Sequence, residues 1–533
     1  MTMTITRRRL IELGAGLACM AGLPAHAAPE RLKEIRIGDS KGDWGLPTPW
    51  RHYPRGPGYL RMSWIFETLL WKDERGPVPA LAESWSWDEK TLSYTFRIRK
   101  GVKWHDGRPL TADDCAFTIR YMKKHPYSWA KLGLVADASA PDAQTLVVKM
   151  KKAFAPFPDV VAGTMPIIPK HVWETVEDPK AFVEPAAFTG TGPFRFKAFA
   201  KVKGTYLYEA NDAWWAGRPA ADRLLYVKTK KPLAALTTGE ADLAIIKPEM
   251  RAQAEKAGCT VITEAGGWMK KLLVNHRSAL LSDKRMRQAI ALSIDVDELI
   301  AKSLRGHAVR ASSGFLPPDH PMAAKDLPVY RPDPARAEAL LAELGWRRNA
   351  GGRFERNGEP LKLRLIVSNI TAGGDQTRDR DGEILRVQLE KAGFTVEARN
   401  LETAAADSLI VKWDFDLAIS GHGGVAGDAM SLADYLGPDV AAGYASGARF
   451  GANDELNRLL VAQISETDPE RRTAMVRRIQ EIHADELPCI PLYHPVAMSA
   501  YRTSCGIKWF YTPGGVSGRG IPIPQNRLTL LAR

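Results

Sequence analysis

Cysteine is scarce in this chain: five residues in 533, four of them beyond residue 27. So few exclude a disulfide scaffold, and no CxxC pair or Cys/His spacing describes a structural zinc site. Past the N-terminus no apolar run approaches the roughly 18–20 residues of a membrane-spanning helix, which excludes a polytopic transporter. Short internal repeats and low-complexity linkers are also missing, so the domains must be joined by brief crossovers inside a compact body. No phosphate-binding Gly-rich loop, HExxH helix, Gly-x-Ser-x-Gly elbow or paired-carboxylate signature occurs. The sequence therefore names no catalytic residue, no metal and no cofactor.

Segregated charge is absent as well. Lys and Arg number 74 against 61 Asp and Glu, a net +13. Three Arg and one Glu fall in the first 27 residues, a surplus of two, which leaves +11 for the rest. Arg471, Arg472, Arg477 and Arg478 are expected on one helix with Glu466, Glu470 and Glu481, so the excess reads as solvated helix faces rather than a nucleic-acid patch. What is present, 45% hydrophobic and 25% charged residues with mean hydropathy −0.24, describes a globular chain of two or three domains.

The N-terminus carries Thr6-Arg7-Arg8-Arg9-Leu10-Ile11, a mildly apolar stretch to Leu23, and Ala25-His26-Ala27. Basic region, short apolar region and small–any–small site together predict an export leader over residues 1–27, of twin-arginine type. Gly16 stands where a lipobox before Cys19 needs a larger apolar residue, which argues against lipidation. Export places the mature chain in a compartment where disulfides persist. Cys489 and Cys505, close in sequence, are the best candidate pair, and Cys115 reads as a small core residue.

Ile35–Gly38 reads as a first strand before a Gly/Pro/Trp-rich loop, and Leu92–Ile98 and Leu146–Met150 as further strands. Thr111 to Asp114 spells a capping box. Ser282 is expected to cap a helix carrying Met286, Ala289 and Ile290. Asp333-Pro334 and Asp468-Pro469 open two more helices, and Gly393 ends one over Asp381–Ala392. Strands at 363–367, 394–398 and 415–419 alternate with these helices, which indicates an α/β architecture.

Several blocks resemble a known family. They are Ile65-Phe66-Glu67-Thr68-Leu69-Leu70, Val78–Trp85, Phe96–Gly107, Leu110–Asp114, Thr191-Gly192-Pro193-Phe194, Asn211 to Pro219, Gly239–Asp242, Val274-Asn275, Arg285–Ile290 and Ile490–Tyr493. In this order they are similar to the family 5 extracellular solute-binding proteins, the peptide and nickel receptors of ATP-binding-cassette importers. The resemblance implies an α/β, two-lobed periplasmic-binding-protein-like fold of type II with an extra domain inserted in the first lobe. The first lobe is expected over 28–68, 190–273 and 492–533, the inserted domain over 69–189, and the second lobe over 274–491. Strands at Leu272–Asn275 and Pro488–Leu492 are expected to cross between lobes.

Function follows as expectation: a periplasmic, monomeric, non-catalytic receptor that captures a peptide-like solute and docks on permease subunits. Alternatives are a nickel or metal-chelate receptor, an opine, sugar or murein-fragment receptor, a signalling receptor, and more remotely an exported enzyme. His105-Asp106 reads as part of a turn. Trp44, Tyr53 and Tyr59 after the first strand, with Trp268 and Trp413, are candidate walls of the cleft. By the family's pattern Asp428 is the candidate partner for a ligand ammonium, and His422, in a Gly-rich loop, the candidate ligand for a chelated metal. Arg51 and Arg55 flank the first aromatic group and suit a carboxylate or phosphate.

Overall fold

The computed structural model describes residues 31–530 apart from 74–75, 266, 369–379, 439–444, 513 and 516–524. The expected leader and Cys19 lie outside the described residues. Strand formation follows the two-residue alternation of the sequence. In Leu32–Asp39, Ile35 and Ile37 turn to the core while Glu34 and Arg36 stay at the surface and pair with each other at 2.8 Å.

Among the described residues the strands form two large sheets and three smaller ones. The first runs Cys259–Glu264, Ala497–Arg502, Leu243–Ile246, Leu32–Asp39, Ala221–Lys228, Thr205–Ala210 and Phe194–Ala200. The second runs Ala308–Arg310, Cys489–Pro495, Trp268–Val274, Leu417–Gly423, Lys362–Ser368 and Thr395–Leu401. A four-stranded antiparallel sheet, Ala82–Asp88 with Ser93–Ile98, Thr145–Met150 and Val135–Asp142, falls within the segment expected to be inserted. Its core is continuous with that of the first sheet, with Ile35, Tyr226, Phe96 and Val148 in one apolar cluster. The second sheet is covered on both faces: Leu272 and Ile419 point into one apolar layer, Leu273 and Ala418 into the other.

The helix starts follow capping chemistry. The Asp333 and Asp468 carboxylates accept backbone N–H groups of the first turn, each with Pro next in line. Asp114 accepts from the Thr111 N–H at 2.9 Å and from its hydroxyl at 3.0 Å. One cap differs from expectation. Asp283, not Ser282, caps Lys284–Ala291, because its carboxylate accepts the Arg285 N–H at 2.8 Å while the Ser282 hydroxyl donates backwards to Ala279. His105 is structural: its ring bonds the Gly192 carbonyl, and Asp106 pairs with His171 at 2.7 Å.

The cysteines at 115, 259, 489 and 505 are free and buried, which corrects the expected 489–505 pair. Cys489 opens a strand of the second sheet, facing His483, whereas Cys505 follows the last strand of the first sheet. Closeness in sequence did not become closeness in space, because the chain crosses between sheets in between.

Gly190 and Gly192 let the return strand approach the Trp64–Ile65 backbone; a Cβ at either would overlap those carbonyl oxygens. Gly192→Ala is expected to lower stability by about 1–3 kcal/mol, as overpacking against backbone does. Urea unfolding checks this, and an unchanged midpoint would contradict it.

Candidate ligand cleft

The chain passes from the first sheet to the second between Glu264 and Trp268, and back between Pro495 and Ala497. The two crossings lie side by side: Glu264 pairs with Ala497, and the Trp268 carbonyl accepts from His494 Nδ1 at 2.9 Å. The sequence reading chose the right strands but misplaced the crossings. Leu272–Asn275 and Pro488–Leu492 lie inside the second sheet, paired with Leu417–Gly423 and with each other.

Asp39 ends its strand at this crossing side of the first sheet, and Trp268, His422 and His494 mark the same side of the second. The open ends of two sheets thus face each other across a double-stranded hinge, the place where α/β sheets hold ligands. The lobes also touch at their rims. Lys131 reaches Asp434 at 3.3 Å, the Ala155 N–H donates to Ile464, and Tyr511 donates to Asp319 at 3.2 Å.

The structure treats the expected site residues differently. Trp44 and Tyr53 lie on the loop at the cleft end of the first sheet, with the Lys41 ammonium over both rings at 4.4 and 4.5 Å. Trp44 donates to Asp39, which also receives Arg61. Burial opposes ionisation of Asp39, but Arg61 and the donated bonds outweigh it and hold the carboxyl below its ordinary range. Tyr59 is fully buried, stacked on Trp129 at 4.8 Å and bonded to the Thr164 carbonyl. Arg51 binds a backbone carbonyl at Lys180.

Trp268 opens its strand beside the first crossing, half-buried, and its indole lies over Gly421, where a Cβ would sit 2.7 Å from Nε1. Trp413 is a correction. Leu417 pairs with Val274 and Gly423 with Trp268, so Trp413 lies beyond the opposite end of a seven-residue strand, roughly 20 Å along it. There it is held between Arg277 and Arg449 at 4.2 and 4.1 Å.

Asp428 is the second correction. Both of its oxygens meet Arg472, Oδ2 at 3.0 Å and Oδ1 at 2.5 Å, and Oδ1 also accepts the Met430 N–H. This buried, bidentate pair fastens the loop after the strand, so the carboxylate is engaged before any ammonium arrives.

His422 belongs to the strand Leu417–Gly423 rather than to a loop. Its ring stacks on Tyr435 at 3.6 Å and 5°, is buried, and neither nitrogen has a hydrogen-bond partner among the described residues. Burial and then the neighbouring Lys271 keep this imidazole neutral, well below the ordinary histidine range.

Sequence reasoning missed Lys271, Phe315 and Tyr435. The signal was the Lys270-Lys271 pair inside the apolar strand Trp268–Val274, because alternation sends one ammonium to each buried face. Lys270 meets Asp381 at 3.6 Å. Lys271 has no hydrogen-bond partner among the described residues; its Nζ stands 5.1 Å from the Phe315 ring and 5.3 Å from that of Tyr435. Burial pulls its pKa down to about 8. Glu264, at the first crossing, is a further buried group, and desolvation lifts its carboxyl well above the usual range. No group of three or more His, Cys, Asp or Glu among the described residues is arranged to hold a metal ion, and no helix there is long and apolar enough to cross a membrane.

Two lobes on a double hinge, with aromatic and unpaired polar groups at their facing ends, define a solute-binding protein of the two-lobed, type II class. The chain belongs to the bacterial extracellular solute-binding proteins, family 5, whose model matches residues 76–443. It is 27% identical over 385 residues to the oligopeptide-binding protein AppA of Bacillus subtilis, covering 67% of this chain and 68% of that one. It is 28% identical to a probable di/tripeptide-binding protein 5 of Pseudomonas aeruginosa, covering 80% and 83%. Among solved structures it shares its fold with the substrate-binding protein CtaP of Listeria monocytogenes, at a TM-score of 0.75, 22% identity and coverage of 93% and 99%. NikA of Brucella suis in complex with Fe(III)-EDTA also superposes at 0.75, with 21% identity and coverage of 92% and 99%.

Proposed function

We propose that the chain is the exported, monomeric receptor of an ATP-binding-cassette importer, taking a peptide or peptide-like solute into the interlobe cleft and passing it to permease subunits. It is a binding protein and performs no reaction on the solute. The first lobe is built on the seven-stranded sheet with the inserted unit, and the second on the sheet between the two crossings. The observation that carries this reading is the pair of adjacent crossings with both sheet ends open toward each other. Support for the peptide class comes from the relatives named as oligopeptide- and di/tripeptide-binding proteins.

A metal-chelate solute is favoured by one observation, the buried His422 ring with both nitrogens unpartnered. The two readings separate in one experiment. Thermal unfolding of the purified mature chain is followed with pools of di-, tri- and tetrapeptides, and with nickel(II)–histidine. A peptide pool at a hundred times its dissociation constant is expected to add about 2.7 kcal/mol of stability. A rise with nickel(II)–histidine alone would transfer the assignment to chelate uptake.

A further inference from the structure

On this reading of the chain as a peptide receptor, we propose that Lys271, with His422 beside it, seats an anionic group of the captured solute, a carboxylate. The two side chains rise from adjacent strands on one face of the second sheet, where Met269 opposes His422 and Lys271 opposes Ser420. They share two neighbours: Phe315 and Tyr435 flank both the Lys271 ammonium and the His422 ring. Tyr435 lies on the short helix Ser431–Leu436, next to Asp434, which reaches Lys131 across the rim. The two side chains therefore lie one short helix away from a rim contact between the lobes.

An inventory of donors and acceptors decides what it receives. Lys271 offers three N–H donors and the neutral His422 ring one, and none has an acceptor among the described residues. The nearby polar groups are already occupied, except His494 Nε2, which has no partner among the described residues. His483 donates through Nδ1 to the Ser313 carbonyl and faces the Cys489 thiol through Nε2; Tyr435 donates to the Gly423 carbonyl; His494 donates to Trp268. An ordered water would satisfy donors but leave the buried charge unmatched, whereas a carboxylate satisfies both. On the opposite face Lys270 has its carboxylate, Asp381, in the protein itself. Among the described residues Lys271 lacks the equivalent, and the solute supplies it.

Binding a carboxylate raises the affinity of Lys271 for its proton, so the complex takes up a proton once the free group has begun to lose its own near pH 8. The facing groups do not titrate in that range. His422 and His483 are held neutral, the latter at about 4, and burial moves the Cys489 thiol up to about 11.

The test is calorimetry with a pool of tetrapeptides bearing free C-terminal carboxylates and the same pool amidated, against wild type, Lys271→Met and His422→Phe. Lys271→Met is expected to weaken the free-acid pool about 10–100-fold, and amidation to cost wild type far more than this variant. Wild-type affinity is expected to fall as pH rises from 7 to 10, and that of the variant to stay level. His422→Phe is expected to weaken the free-acid pool by a smaller factor. A folded Lys271→Met protein that binds the free-acid pool as wild type does would overturn the seat. If neither pool binds wild type, the peptide reading fails by itself and citrate becomes the probe. A citrate-induced rise in melting midpoint that Lys271→Met removes then supports the seat, and identical responses overturn it.

Discussion

Replacing Lys271 by Met is expected to make the solute-free protein more stable by about 3 kcal/mol at neutral pH. Burial lowers the ammonium from 10.5 to about 8, and each unit is worth about 1.4 kcal/mol. Methionine is similar in length, keeps contact with Phe315 and Tyr435, and carries no charge to desolvate. The pH dependence has a definite sign. Between pH 8 and 10.5 the unfolded chain binds more protons at this residue than the folded one, so wild-type stability from this group rises with pH across that window. The penalty is complete below pH 8 and gone above 10.5. The advantage of Lys271→Met is therefore largest at and below neutrality and vanishes in strong alkali. Urea unfolding at pH 6, 7.5 and 10 checks all three points. A variant less stable than wild type at pH 7 would show that the ammonium has a partner and would remove the reason for a solute carboxylate. Stability gained where binding is lost is the pattern expected of a group kept for its ligand rather than for the fold.

Much of the fold was legible in the sequence because its signals are local. Asp333-Pro334 and Asp468-Pro469 opened their helices as read, and Asp381–Ala392 ended at Gly393, in the left-handed region at φ 108°. Errors arose where a remote partner decides the outcome. The glycines at 421 and 423 suggested a loop, yet they belong to a strand, and Gly421 is small because the Trp268 indole lies against it. That misreading moved the end of the strand by four residues and hid the fact that His422 faces Lys271. Trp413 was chosen as the residue before a strand, but strand polarity, set only by pairing with Trp268–Val274, sends it to the wrong end. That Lys271 has no partner among the described residues was beyond reach for the same reason: charge appears in a sequence, the placing of a counter-charge only in the fold.

Asp428→Asn is expected to cost about 3–5 kcal/mol of stability, because it removes one partner of a buried ion pair and leaves the other charged. Arg472 is 7% exposed, and among the described residues it has, besides Asp428, only Gln463, a neutral side chain and backbone carbonyl, to receive its N–H groups. The double change Asp428→Asn with Arg472→Met removes both charges and is expected to recover much of the loss, since a pair replaced together by neutral groups need not destabilise. Solute affinity separates this role from ammonium binding. With both oxygens held by Arg472, Asp428 is committed to fastening its loop, so the folded fraction of the Asp428→Asn variant is expected to bind the free-acid tetrapeptide pool as wild type does. Stability would come from urea unfolding and affinity from calorimetry on the folded protein. Full stability with a tenfold or greater loss of affinity would return Asp428 to the binding site. The loop it fastens is also held by His320, whose Nε2 donates to the Gly427 carbonyl at 2.8 Å. Two anchors on one short loop keep the end of the strand that carries His422 in place, so the Asp428–Arg472 pair is expected to act on the cleft through that loop.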